Sequence, residues 1–210
     1  MPTISYAITA CNEHVELERL LNQLHEHIRP EDEIIVQLDV TATDEVKEIA
    51  STSRYNKLTT VITSPLNKDF ASFKNHLKGY CSGDYIFQID ADEYLSEELL
   101  LSLPEILEMN PEVELYAVPR INTVEGLTQE HINKWRWYVN ENGWVNYPDH
   151  QQRIFKNIDG IKWENKVHER IVGARAVVLL PDGYDLIHPK TIERQEKQNN
   201  FYNKIGRAHV

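Results

Sequence analysis

Three carboxylates fall within four residues at Asp90-Ala91-Asp92-Glu93, directly after the largely apolar run Tyr85-Ile86-Phe87-Gln88-Ile89. Residues two apart on an extended segment share a face. A buried strand would therefore deliver Asp90 and Asp92 together at its C-terminal end, where open α/β sheets bind ligands. Like charges so close repel unless something positive sits between them, and a divalent cation with oxygen ligands is the natural guest. Asp39 closes a second β-rich run, Glu33-Ile34-Ile35-Val36-Gln37-Leu38. Each has a plainer alternative. A lone Asp after a strand also serves as a turn or cap residue. Acidic triplets also occur in solvated loops, although a loop acid has no need of the buried strand before it.

The elements that would position these groups are legible as periodicities. Ile4 to Thr9 reads as a first strand, and Asn12 could cap a helix with Leu17, Leu20, Leu21, Leu24 and Ile28 on one side. Pro30-Glu31-Asp32 breaks it. Strand 33–39 is followed by a helix over 43–53 and a strand over 58–62. Phe70, Phe73, Leu77 and Tyr80 recur at helical spacing. Gly83-Asp84 then turns into the strand 85–90. Ser96 caps a further helix, with Glu97 and Glu98 in the first turn where the helix dipole favours them. Its apolar side is Leu99, Leu100, Leu103, Ile106 and Leu107. Such alternation predicts an α/β fold with a mostly parallel central sheet flanked by helices. The second half is less regular. Strands are expected at 115–119, 152–155, 167–172 and 176–180, and a helix at 192–202. Residues 120–150 hold an aromatic-rich stretch with Trp135, Trp137, Tyr138, Trp144 and Tyr147. Trp135 and Trp137, with Arg136 between them, would place both rings on one face of a strand. They either line an acceptor groove by stacking on sugars or form the small core of this half.

A chain of 210 residues suffices for one α/β domain with a sizeable core. At 41% hydrophobic and 26% charged it has the composition of a soluble globular protein. Its formal charge of -11, from 22 basic and 33 acidic residues, argues against a broad nucleic-acid or anionic-membrane surface. No apolar run approaches the ~20 residues of a transmembrane segment, and the N-terminus lacks the basic and apolar regions of a signal peptide. The two cysteines, Cys11 and Cys81, read as free thiols of a reduced, cytoplasmic protein. Residues 205–210, Ile-Gly-Arg-Ala-His-Val, match the translation of a common short-read sequencing adapter. They are expected to be read-through from an assembly, leaving 1–204 as the domain.

Several motifs in chain order resemble the GT-A nucleotide-diphospho-sugar glycosyltransferases of family 2. Ile8-Thr9-Ala10-Cys11-Asn12-Glu13 resembles that family's first strand with its Asn-Glu pair. Leu38-Asp39-Val40-Thr41-Ala42-Thr43-Asp44 resembles its Asp-x-x-Ser/Thr-x-Asp segment, with Val40 and Thr41 where Gly-Ser is usual. Phe73-Lys74-Asn75 with Gly83-Asp84 resembles the stretch before the metal motif, and Ile89 to Glu93 matches the DxD signature. Pro148-Asp149-His150-Gln151-Gln152-Arg153-Ile154-Phe155 and Val167-His168-Glu169 resemble a subgroup that includes lipopolysaccharide core sugar transferases. The resemblance implies a GT-A fold with a nucleotide-sugar half, 1–110, and an acceptor half, 111–204. Thr9, Ala10, Cys11, Glu13, Asp39, Lys74 and Asp90 would bind the nucleotide. Asp92 would be the direct ligand of Mg²⁺ or Mn²⁺, with Asp90 nearby and His188 a third ligand, unless His188 is an ordinary turn residue. The partners implied are a nucleoside-diphosphate sugar and a glycan or lipid-linked acceptor, met in the cytoplasm or at the inner membrane face.

Sugar transfer from a nucleoside diphosphate develops negative charge on the leaving phosphate, which a divalent ion stabilises. The acceptor hydroxyl needs a general base. Glu169 is the first candidate and His168 the second; both could equally be strand residues. Arg153, Lys74 and Arg170 are candidates to offset phosphate charge, and Arg153 also to meet the acceptor. One base without a second nucleophilic carboxylate fits inversion, which the resemblance also implies. Two rivals remain. A sugar nucleotidyltransferase would carry a Gly-rich basic loop where this chain has Cys11-Asn12-Glu13-His14. The second is a non-catalytic carbohydrate- or nucleotide-binding protein or an inactive remnant on the same fold; intact Asp90, Asp92 and Glu169 speak against decay.

Overall fold

A computed structural model describes residues 1–55 and 58–206. The first half alternates as its periodicity predicts: β1 (Ile4–Ala10), α1 (His14–His27), β2 (Glu33–Asp39), α2 (Asp44–Ala50), β3 (Thr59–Ser64), α3 (Phe70–Lys78), β4 (Tyr85–Asp90), β5 (Tyr94–Leu95) and α4 (Glu97–Met109). The second half adds β6 (Leu115–Val118), β7 (Arg120–Glu125), α5 (Gln129–Trp135), β8 (Gln151–Lys156), β9 (Lys162–Glu164), β10 (Arg170–Val172), β11 (Val177–Leu179), β12 (Leu186–Thr191) and α6 (Ile192–Gly206). Residues 205 and 206 close α6, and the rest of the expected adapter-derived tail, 207–210, lies outside the described residues.

Seven strands form one sheet in the order β11-β6-β8-β4-β1-β2-β3. The pairs β1–β2, β2–β3, β1–β4 and β6–β11 are parallel, and β8 pairs antiparallel with both β4 and β6. Alternation along the strands sorts side chains into two layers. Tyr6, Ile8, Ile34, Val36, Phe87 and Ile89 pack with Leu17, Leu20, Leu21 and Leu24 of α1 and Leu99 and Leu103 of α4. Burying each such leucine contributes about 1.5–3 kcal/mol relative to exposure. The opposite face places Ala7, Ile35 and Ile86 against Ala71 and Leu77 of α3, with Trp163 and Ile171 of the antiparallel hairpin β9–β10. The strand residues between the first set, Thr9 and Asp90 among them, therefore face α3.

A second, three-stranded sheet has the order β5-β12-β7. The sequence does not mark these strands, because β5 has only two residues and β7 and β12 are interrupted by Arg120, Asn122, Thr123 and Pro189. Pro189 is tolerated because β5 pairs β12 only at Leu186 and Ile187, so no ladder partner there needs its missing N–H.

Three local expectations need correction. Asn12 does not cap α1: Glu13 is the cap residue, and its carboxylate accepts the Cys11 and Asn12 amides at 2.8 and 2.9 Å. Trp135 and Trp137 do not share a strand face. Trp135 ends α5, Arg136 turns left-handed at φ 55°, and the two rings pack on each other at 4.6 Å. The strand expected at 167–172 covers only Arg170–Val172, because His168 adopts φ 55°, outside extended geometry.

Candidate active site

The parallel strands β1, β2 and β4 end side by side, so Thr9, Asp39 and Asp90 lie along one sheet edge. They open into a cavity of about 1180 Å³ that also takes in Asp92, Lys74, Trp137, Trp163, His168, Glu169 and His188. A single small ligand fills roughly 300–1,000 Å³, so this volume can hold a donor and part of an acceptor.

The acidic triplet does not act as one cluster. β4 stops at Asp90, and a turn closed by the Glu93 amide on the Asp90 carbonyl, at 2.9 Å, sends the three carboxylates to different partners. Strand alternation does not extend to Asp92. Asp90 receives the Arg153 guanidinium at 2.7 Å, Lys74 Nζ at 3.5 Å and the Thr9 hydroxyl at 3.1 Å. Burial opposes its ionisation, but Arg153 and then Lys74 outweigh burial and hold its carboxyl far below the usual range. Glu93 is fully buried between Arg153 at 2.7 Å and Arg120 at 3.0 Å. It braces the turn, and its signal in the sequence was merged with that of its neighbours. Arg153 is only 4% exposed and committed to these two carboxylates. Arg153 lines the cavity as well, and its place there is inside the carboxylate network.

Asp92 turns toward β12 instead. Its Oδ2 lies 3.2 Å from His188 Nε2 and 3.4 Å from Arg194 Nη2. Burial works against its charge, and the His188 contact then holds its carboxyl well below the usual range. His188 is a strand residue, 5% exposed. Its Nδ1 is 2.8 Å from Asn122 Oδ1, while the Asn122 amide nitrogen donates to Asp149 at 2.9 Å. A carboxylate can only accept, so Asn122 must present its oxygen to His188, and Nδ1 carries the proton. Nε2 faces a carboxylate oxygen: with a proton there the ring donates to Asp92 and lowers its pKa, and without one a cation would have to lie between the two acceptors. A ring held through Nδ1–H by a carbonyl oxygen is also the arrangement of metal-ligating histidines. Among the described residues no group of three His, Cys, Asp or Glu is poised to hold a metal ion. The fit is therefore a two-donor site, Asp92 and His188, of the kind Mg²⁺ and Mn²⁺ complete with water and substrate phosphate.

Asp39, 7% exposed, accepts the Thr41 amide at 2.8 Å and the Leu66 amide at 2.6 Å, as well as the Thr41 hydroxyl. Burial opposes its charge; the Thr41 and Leu66 bonds prevail and lower its pKa. Cys11, Ala10 and Glu13 line the same rim. Burial pushes the Cys11 thiol up, so it is no ready nucleophile.

Across the cavity, Lys74 of α3 is 4% exposed and pairs with Glu169 at 2.7 Å, its ammonium 4.7 Å from the Trp163 ring centre. Lys74 thereby joins Asp90 on the sheet edge to Glu169 just before β10, a link that sequence reading missed. His168 lines the cavity beside Glu169 and is exposed. Trp137 lines it too, whereas Trp135 stacks on His131 at 5.2 Å outside the wall. Arg170 is exposed and does not line the cavity.

The model of the glycosyl transferase family 2 domain matches residues 5–176. This chain belongs to that family. Among solved structures, Staphylococcus aureus TarS 1-349 superposes with a TM-score of 0.64 at 14% identity, covering 90% of this chain and 60% of that one. TarS 1-349 in complex with UDP-GlcNAc gives 0.58 at 16% identity, covering 90% and 59%. The mannosyltransferase PcManGT from Pyrobaculum calidifontis, in complex with GDP-Man and Mn²⁺, gives 0.60 at 16%, covering 89% and 56%. The family 2 chain thus shares the GT-A fold of these proteins and spans about 60% of their length. Among its described residues no helix is long and apolar enough to cross a membrane.

Proposed function

We propose that this chain transfers a sugar from a nucleoside diphosphate to a hydroxyl of a glycan or lipid-linked acceptor, with inversion at the anomeric carbon. The observation that carries the reading is that one cavity holds both halves of the chemistry. The Asp92–His188 pair, with its proton fixed on Nδ1, stands at the sheet edge, and Glu169, held by Lys74, stands across from it. The donors in the TarS and PcManGT complexes, UDP-GlcNAc and GDP-Man, support a nucleotide sugar as substrate, and the PcManGT complex supports Mn²⁺ as the cation.

The strand-end rim from Thr9 to Cys11, with Glu13 and Asp39, would receive the nucleotide. Asp92 and His188 would hold Mg²⁺ or Mn²⁺, which supplies Lewis-acid stabilisation of the leaving diphosphate when bound. Glu169 accepts the acceptor's proton as its oxygen attacks the anomeric carbon. The ammonium of Lys74 keeps that carboxylate oriented, and Trp137 offers an apolar ring to a sugar face. Inversion is supported by the binding of the other wall carboxylate on this side. Asp149 is taken up by Arg120 at 2.6 Å, Asn122 at 2.9 Å and Gln151 at 2.7 Å, so it is not free to act as a nucleophile. The motifs at 148–155 and 167–169 favour a role in cell-surface polysaccharide or lipopolysaccharide synthesis. Residues 1–110 would supply most of the donor site, with His188 added from the second half, and the rest of 111–204 would face the acceptor.

The test is thermal unfolding with UDP, GDP, CDP and ADP, each with and without Mn²⁺. A diphosphate at ~100 times its dissociation constant adds about 2.7 kcal/mol, a rise of about 5–11 °C for a domain of this size. A rise that needs both one nucleotide and the cation supports the reading. A folded protein that responds to no pair refutes it.

A further inference from the structure

Helix α6 begins where β12 ends and lies over the donor side of the cavity, which Gln195, Gln198 and Asn199 line from above. Its first turn sends Arg194 into a set of carboxylates. Nη1 is 2.6 Å from Glu16 Oε1; Nη2 is 3.2 Å from Glu13 Oε1 and 3.4 Å from Asp92 Oδ2. The last contact decides the matter. Asp92 Oδ2 is also the oxygen facing His188, so a guanidinium occupies the carboxylate assigned above to the divalent cation. The two positive charges repel in the same place. The Asp92 contact is the longest of the three, and 30% of the Arg194 side chain is exposed.

Resting on the donor site proposed above, we propose that Arg194 is a mobile counter-ion of that site. Without donor it draws α6 onto Glu13, Glu16 and Asp92. With a nucleoside diphosphate and cation in place, it leaves Asp92 for the diphosphate. Phosphate oxygens match the planar fork of a guanidinium, which can bond two of them at once. Lys190, whose ammonium reaches Gln198 on the same helix, keeps a second positive charge beside the cavity. The leaving diphosphate would then be met by a guanidinium carried on α6.

This arrangement gives Arg194 effects of opposite sign on two ligands. Arg194→Ala removes a competitor for Asp92, so Mn²⁺ alone, followed by electron paramagnetic resonance of free Mn²⁺, should bind at least ~5-fold more tightly. The same variant loses a charged hydrogen-bonding group for the diphosphate. Its affinity for whichever of UDP, GDP, CDP or ADP binds wild type with Mn²⁺ should fall about tenfold or more by calorimetry. Arg194→Lys keeps the charge but not the fork, and should lie between on both scales. A purely structural tie for α6 would move both affinities the same way or neither, and either result overturns the proposal. If the alanine variant fails to fold, the lysine variant carries the same test. A wild type that binds diphosphates, with variants that bind Mn²⁺ and diphosphate as wild type does, removes Arg194 alone. A wild type that binds no diphosphate removes the donor site and this proposal with it.

Discussion

Replacing Arg153 by methionine tests the claim that the acidic triplet is held by a buried ionic network. The guanidinium is 4% exposed and makes two 2.7 Å ion pairs through one nitrogen, to Asp90 and Glu93. Breaking a buried pair costs about 3–5 kcal/mol when the partner is stranded. Here neither partner is stranded, since Asp90 keeps Lys74 at 3.5 Å and Glu93 keeps Arg120 at 3.0 Å. Arg153 Nε is also buried with no hydrogen-bond partner among the described residues, so its removal returns part of a ~1–3 kcal/mol penalty. Methionine fills most of the space. The net loss should sit near the lower bound, about 3 kcal/mol, or a drop of about 6–12 °C in Tm. Urea unfolding followed by tryptophan fluorescence measures the first and a melting curve the second. The Arg153→Met/Glu93→Gln double variant should lose less than the sum of the single losses, with a coupling of about 1–3 kcal/mol. Acid adds an independent check. Asp90 has its folded pKa below its unfolded value near 3.9, so its contribution is present above that pH and is lost as pH falls toward the folded pKa. The gap between wild type and Arg153→Met should therefore begin to narrow below about pH 4 and keep narrowing as the pH falls further. A Tm change under about 2 °C, additive double-variant losses, or a gap that is flat in pH would refute the network.

Glu169→Gln should slow sugar transfer by about 10²–10⁴ while leaving nucleotide binding unchanged, because the amide oxygen can still accept from Lys74; near-normal turnover would move the base to His168. Asn122→Leu takes away the acceptor that fixes the His188 proton and should weaken Mn²⁺-dependent nucleotide affinity by about 10–100-fold, measured by calorimetry; an unchanged affinity would remove His188 as a ligand. Gly173, at φ 92°, would place a Cβ 1.8 Å from the Gly160 carbonyl oxygen. Gly173→Ala should cost about 2–4 kcal/mol and loosen hairpin β9–β10, whereas Gly160→Ala meets open space and should melt like wild type.

What could be read along the chain was whatever is local in it. Continuous apolar runs marked β1, β2 and β4, because central strands are buried on both faces, and period 3.6 marked α1, α3 and α4, because each of those helices buries one side. Asp39 and Asp90 could be placed at strand ends, and parallel strands must end on the same sheet edge. The family motifs added Asp92, Glu169 and His188 as candidates. Strands β7 and β12 escaped notice because three-stranded ladders of polar residues leave no apolar rhythm, and with them Asn122 went unread.

Which charge meets which was decided only by the tertiary structure. Asp90 meets a guanidinium 63 residues away, Lys74 a carboxylate 95 away, Asp92 an imidazole 96 away and Glu13 a guanidinium 181 away. Sequence spacing carries no record of such pairs. They are set by the strand order of the sheet, the placement of β8 between β4 and β6, and a turn at Asp90 that parts three neighbouring carboxylates. The sequence named the acids; the fold made one a brace, one a hub of the ion-pair network and one the partner of a histidine whose proton is fixed on its far side.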